Sequence, residues 1–232
     1  MIDYVITPPA ITSVPVAVGG AFPVRRVFCV GRNYAAHARE MGSDPDREPP
    51  FFFMKPADAL LVNGADMPHP PKTTQLHHEL ELVVAIGKGG ANIAEADALN
   101  HVWGYAAGLD MTRRDLQNAA KAEGKPWDMA KGFDHSAPVG LLVPATRCGH
   151  PSKGRIALKV NGKVRQDGNL DQMIWKVPEI ISKLSEMVEL AAGDIIMTGT
   201  PSGVAATVAG DKIECEIERV GTLRVAIGET LK

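Results

Sequence analysis

Two glutamates one residue apart in an otherwise apolar strand constrain this chain more than any other feature. Residues 76–86 read Leu-His-His-Glu-Leu-Glu-Leu-Val-Val-Ala-Ile. Strand side chains alternate, so Leu80, Leu82, Val84 and Ile86 share one face. Glu79 and Glu81 share the other with Val83 and Ala85, which makes that face largely buried too. Two carboxylates on a covered face repel each other and lose hydration. They need a cation, a shared proton or a solvated cleft, and a hard divalent ion that prefers oxygen ligands is the simplest partner. Alone, Glu-x-Glu is more often a pair that an edge strand shows to water, so other residues have to overturn that reading.

The chain has 232 residues, 45% of them hydrophobic, enough for one sizeable core. We expect a small extended N-terminal piece over 1–23, rich in Pro, Gly and β-branched residues, and one main domain over 24–232. The net charge of −2 includes no basic block, which argues against a nucleic-acid or membrane-surface partner. No apolar run reaches membrane-spanning length and the first residues do not read as a secretory signal. Cys29, Cys148 and Cys215 are widely spaced and form no C-x-x-C pair, which suggests a reducing, cytoplasmic compartment.

The expected elements are mostly strands. Buried strands are predicted over 27–30 and 51–56, a small-residue strand over 102–109 ending at Asp110, a hairpin about Asn161-Gly162, a strand over 194–200 and a closing antiparallel pair over 212–217 and 222–227. A short helix over 34–41 would start at Asn33 as N-cap and stop at Gly42. A second helix is expected near 94–99. A third over 113–123 would open on Thr112 and Asp115 as a capping-box-like start, and a fourth over 177–190 carries Pro178 in its first turn. Helices do not alternate with strands, so the class is strand-rich α+β rather than a doubly wound sheet.

Three carboxylates, Glu79, Glu81 and the strand-end Asp110, form a ligand set suited to Mg²⁺ or Mn²⁺, with Ca²⁺ as an alternative occupant. His77-His78-Glu79 does not make a zinc site, because the H-E-x-x-H motif needs a helix and position 82 is leucine. His37 and Glu40, i and i+3 on the short helix, are suited to a carboxylate-oriented general base. They are equally an ordinary surface pair. Lys131, if it lies near the carboxylates, would bind an anionic oxygen. The chain carries no nucleophile elbow, P-loop or dinucleotide fingerprint.

In sequence order the pieces are Gly31-Arg32-Asn33-Tyr34, His37-x-x-Glu40, Phe53-x-Lys55-Pro56, Glu79-x-Glu81, Leu109-Asp110-x-Thr112-x-Arg114-Asp115-x-Gln117, Pro126-Trp127-x-x-Ala130-Lys131 and Gly199-Thr200-Pro201-x-Gly203. Together they resemble the fumarylacetoacetate hydrolase family over about 24–228. Residues 25–30, 47–53 and 174–178 are most similar to its bacterial fumarylpyruvate hydrolase branch, which serves gentisate breakdown. The resemblance implies a mixed β-sandwich/β-roll with a few peripheral helices, usually as a homodimer. It implies Mg²⁺ or Mn²⁺ on Glu79, Glu81 and Asp110, a water-activating dyad of His37 and Glu40 on a lid, and Lys131, Gln117, Arg114 and Thr200 around the pyruvyl end. The expected reaction is hydrolysis of the C–C bond of a 3-acylpyruvate, fumarylpyruvate giving fumarate and pyruvate. Arg32, Arg39 and Lys125 are candidates for the far carboxylate. The rivals are a general acylpyruvase, an oxaloacetate decarboxylase or keto-enol isomerase on the same site, and a non-catalytic metal-binding scaffold.

Overall fold

The structure is a computed structural model that describes residues 3–35, 48–62 and 64–230. Its centre is a six-stranded mixed sheet, in the order Val143–Pro144, Val102–Leu109, Leu80–Ile86, Asp194–Met197, Arg26–Gly31, Phe51–Lys55. Leu80–Ile86 runs antiparallel to both of its neighbours, and Asp194–Met197 runs parallel to Arg26–Gly31. All seven residues of Leu80–Ile86 are buried, so both faces of this strand are covered.

The two faces feed different cores. Leu80, Leu82, Val84 and Ile86 pack with Phe28, Val30 and Ile196 against a second, five-stranded sheet. Val83 and Ala85 pack with Val27, Cys29, Ile195 and Met197 on the opposite side. There the N-terminal hairpin of Ser13–Pro15 and Ala21–Pro23 covers them with Val14, Val16 and Phe22. In the second sheet, Lys212–Ile217 alternates exposed and buried residues, as expected of a sheet with one wet face. Its Arg155–Val160 and Lys163–Asn169 strands meet at Asn161-Gly162, whose φ values of 51° and 76° suit the expected two-residue hairpin turn. The helix Val177–Met187 turns Ile180, Ile181 and Leu184 onto the larger core. The strand-rich α+β expectation is met. No helix among the described residues is long and apolar enough to cross a membrane.

Several local expectations are corrected. The run 76–86 is two strands, Leu76–His77 and Leu80–Ile86, broken at His78-Glu79. Leu76–His77 leaves the main sheet to pair with Thr112–Arg113 and Ala206–Thr207. Phe51–Lys55 is a partly exposed edge strand rather than a buried one. The segment near 94–99 is a 3₁₀ helix over Glu95–His101. Thr112 does not cap the following helix, which runs over Arg114–Ala122 without a side-chain cap, and Asp115 instead accepts from Thr73 Oγ1 and Thr74 N. Asn33 spends its side chain on Trp175 and on Thr198 O, with Trp175 N donating to Oδ1 at 2.7 Å. The rest of the predicted 34–41 helix, from residue 36 on, lies outside the described residues.

Candidate active site

The break at His78-Glu79 places the first carboxylate. The ladder pairs Leu80 with Leu109 and Glu81 with Gly108, which brings Asp110 level with Glu79, and Asp110 N donates to Glu79 O at 2.9 Å. Glu81 projects from the strand on the side of Val83 and Ala85. One oxygen from each of Glu79, Glu81 and Asp110 lies within 4.8 Å of the others, and all three residues are buried. No histidine joins them among the described residues.

The loop after Asp194–Met197 closes the site. Thr198 N and Oγ1 both donate to Leu82 O, and Thr200 Oγ1 donates to Leu80 O at 2.8 Å. This stitches the loop along the carboxylate strand and aims Gly199 N at Glu81 Oε2, 2.8 Å away. Gly199 has φ 93°, and a Cβ there would stand 2.7 Å from Asn33 Cβ, so this approach requires glycine.

Buried cations surround the carboxylates. Lys131, last residue of the short helix Asp128–Lys131, donates from Nζ to Asp110 Oδ2 at 2.6 Å, Thr112 Oγ1 at 2.7 Å and Glu79 Oε2 at 2.8 Å. All three of its N–H groups are therefore committed. Burial opposes its charge, but Asp110 and then Glu79 outweigh burial and raise its pKa. Lys55 Nζ forms an ion pair with Asp110 Oδ1 at 2.8 Å and donates to Met111 O and Lys131 O. Arg114 forms an ion pair with Glu79 and donates to Gln117 Oε1. Glu81 differs: among the described residues it makes no ion pair. Burial first, then the charges of Asp110 and Glu79, hold its carboxyl well above the ordinary range. A buried carboxylate to which no described residue brings a cation, one of three converging oxygen donors, fits a hard divalent ion.

Arg32, Arg114, Gln117, Lys131 and Thr200 line the small pocket over the trio, a space of about 30 Å³. That is room for an ion or a water. The Thr200 hydroxyl gives its proton to Leu80 O and accepts from Gln166 Nε2, so what remains toward the pocket is acceptor capacity. His77 is driven down to about 4 by burial and then by Arg114, so it is neutral near pH 7. His37 and Glu40 lie outside the described residues. Sequence reasoning left Lys55 without a role, although a lone lysine ending the run Phe-Phe-Phe-Met is a visible anomaly. It missed Lys121 on the Arg114–Ala122 helix, which lines this pocket too. Continuing the i, i+3, i+7 stripe from Arg114 through Gln117 would have found it.

A mixed β fold with a buried three-carboxylate centre able to hold a divalent ion defines the class: a metal-dependent enzyme site built on strand ends. The family model for the fumarylacetoacetate hydrolase C-terminal domain matches residues 26–227, and the chain belongs to this family. It is 49% identical, with a TM-score of 0.96 over 99% of this chain and 100% of the other, to fumarylpyruvate hydrolase from Pseudomonas aeruginosa, solved with Mn²⁺ and pyruvate. A Burkholderia cenocepacia structure described provisionally as a fumarylpyruvate hydrolase is 54% identical, with a TM-score of 0.93 over 99% of this chain and all of that one. The human mitochondrial oxaloacetate tautomerase is 46% identical over 193 residues, 83% of this chain and 87% of its own.

Proposed function

We propose that this chain hydrolyses the C–C bond of a 3-acylpyruvate, with fumarylpyruvate as the preferred substrate. The observation that carries this choice is the space beside the carboxylate trio. A cavity of about 840 Å³ shares Arg32, Phe53, Lys121, Trp127 and Lys131 with the small pocket and extends over Phe51 and Met54. Oxaloacetate has no acyl group to fill such a space, whereas an acylpyruvate presents its pyruvyl end to the trio and its acyl group to the cavity.

A divalent ion on Glu79, Glu81 and Asp110 supplies Lewis-acid polarisation of a 2-oxo acid. The residues of the chain do the rest. Arg114 and Gln117 stand on one helix face beside Glu79, where they orient the pyruvyl carboxylate. Lys131 fixes positive charge at the trio, where negative charge develops as the C–C bond breaks and its electron pair passes to the pyruvate enolate. To touch a substrate oxygen directly, it has to release one of its three present partners. His37, oriented by Glu40, takes the proton of the water that adds to the distal carbonyl.

Oxaloacetate tautomerisation is the second reading, favoured by the 46% identity to the human tautomerase. It also proceeds through an enolate but adds no water. Steady-state kinetics with Mg²⁺ on fumarylpyruvate, acetylpyruvate and oxaloacetate separates the two. We expect kcat/KM to be highest for fumarylpyruvate, and His37→Ala to lower kcat far more than it weakens binding of oxalate, a mimic of pyruvate enolate. Faster turnover of oxaloacetate than of either acylpyruvate would establish the tautomerase reading instead. Glu81→Ala should stay folded and lose Mg²⁺ binding by calorimetry; unchanged affinity would refute the assignment of the ligand trio.

A further inference from the structure

Several cations face the large cavity, and their partners tell them apart. Lys125 is exposed and already paired with Glu123. Lys131 is committed to the trio. Lys121 makes no ion pair among the described residues, yet it is half-buried and lines both the carboxylate pocket and the cavity. Its Nζ rests 5.2 Å from the centre of the Trp127 ring. It stands seven residues after Arg114 and four after Gln117 on one helix, so the three share a face and follow one another away from Glu79.

Resting on the acylpyruvate reading above, the geometry points to Lys121 as the cation that receives the far carboxylate of a dicarboxylic acyl group. The site suits an anion on grounds independent of that reading. An ammonium held against an aromatic face, partly out of water and near the positive Arg114 and Arg32, gains from an incoming carboxylate the counter-charge that no described residue gives it. In keeping with this, burial and then those two arginines push the Lys121 amine down to about 8. The cavity wall beside it is aromatic. Trp127 meets Phe51 edge-on at 5.0 Å and Phe53 at 5.9 Å between ring centres, a wall suited to a planar, conjugated linker. The ligand class is therefore a rigid trans-enedioate acyl chain, with one end at the reacting carbonyl and the other at Lys121.

The test compares fumarate with crotonate, the same trans four-carbon skeleton with a methyl in place of the far carboxylate. Binding is measured by calorimetry in the presence of Mg²⁺ on the wild type, K121M, K121R and R32M. A charge-assisted hydrogen bond corresponds to a preference for fumarate of roughly ten-fold or more. We expect K121M to erase that preference and K121R to keep part of it, which also shows that the position tolerates substitution. In kinetics, K121M should lower kcat/KM about ten-fold more on fumarylpyruvate than on acetylpyruvate. A preference that survives K121M, or that is lost only in R32M, overturns the assignment. If the wild type cleaves no acylpyruvate but K121M still erases the fumarate preference, the reaction is wrong and the subsite stands.

Discussion

Gln166 is one buried amide on which four groups from two distant segments converge. Its Oε1 accepts from Leu80 N at 3.0 Å and faces His78 Nδ1 at 3.1 Å, while Nε2 donates to Thr200 Oγ1 at 2.7 Å and Pro201 O at 2.8 Å. It thus ties the break beside Glu79 to the loop that carries Gly199. Gln166→Leu keeps the volume but strands buried polar groups, and we expect a loss of roughly 2–4 kcal/mol in urea unfolding. Mg²⁺ affinity should also weaken, since Glu79 and Glu81 flank Leu80; a variant with wild-type Mg²⁺ affinity would show that the amide serves stability alone. Nothing in the sequence marks Gln166, because it lies 86 positions from the Leu80 amide it serves. The carboxylates were legible for the opposite reason: charge within a run that is otherwise apolar must be explained locally. Lys121 was legible in principle from helical spacing, but a lysine late in a helix reads equally as a solvated one.

At the level of elements, the carboxylate strand and the loop over Thr198, Gly199 and Thr200 act as a unit. The loop bonds successively to Leu82 O and Leu80 O and delivers the Gly199 amide to Glu81. Gly199→Ala forces a side chain onto a φ of 93° and against Asn33. The expected cost is about 1–3 kcal/mol in denaturant unfolding, with weaker Mg²⁺ binding by calorimetry as Glu81 loses its donor; unaltered stability would mean that the loop relaxes freely. Periodicity recovered the central strands and the Asn161-Gly162 hairpin because those choices are local. It failed at Thr112, where a capping signal lost to tertiary demand: the hydroxyl donates to Asp110 O and accepts from Lys131 Nζ. It also failed at His78-Glu79: His78 is the single polar residue at the even positions from 76 to 86, and one such residue does not tell that the strand changes partners.

For the whole molecule, the site couples folding to pH and to metal. The carboxyl of Glu81 titrates well above the ordinary glutamate range in the folded chain, chiefly through burial. In the metal-free protein, stability therefore falls as pH rises from the unfolded value, about 4.3, through the raised folded value, because the unfolded chain sheds that proton more readily. A divalent ion favours the charged form and removes this loss. The gap between Tm with saturating Mg²⁺ and Tm with EDTA should widen as pH rises above the unfolded value of about 4.3; a constant gap would exclude Glu81 as the coupled group. The buried pairs of Lys55, Lys131 and Arg114 with Asp110 and Glu79 carry a further consequence. Once an arriving divalent ion had drawn Glu81 into its charged form, the three cations would balance the trio's three negative charges and the ion's own two positive charges would stand uncompensated in the buried site. A doubly charged anion cancels that excess, and the two ligands then bind with positive cooperativity. Linkage makes the effect reciprocal: oxalate should tighten Mg²⁺ by the same factor by which Mg²⁺ tightens oxalate. The protein would then hold its metal weakly at rest and firmly only while an enolate-like dianion is in place.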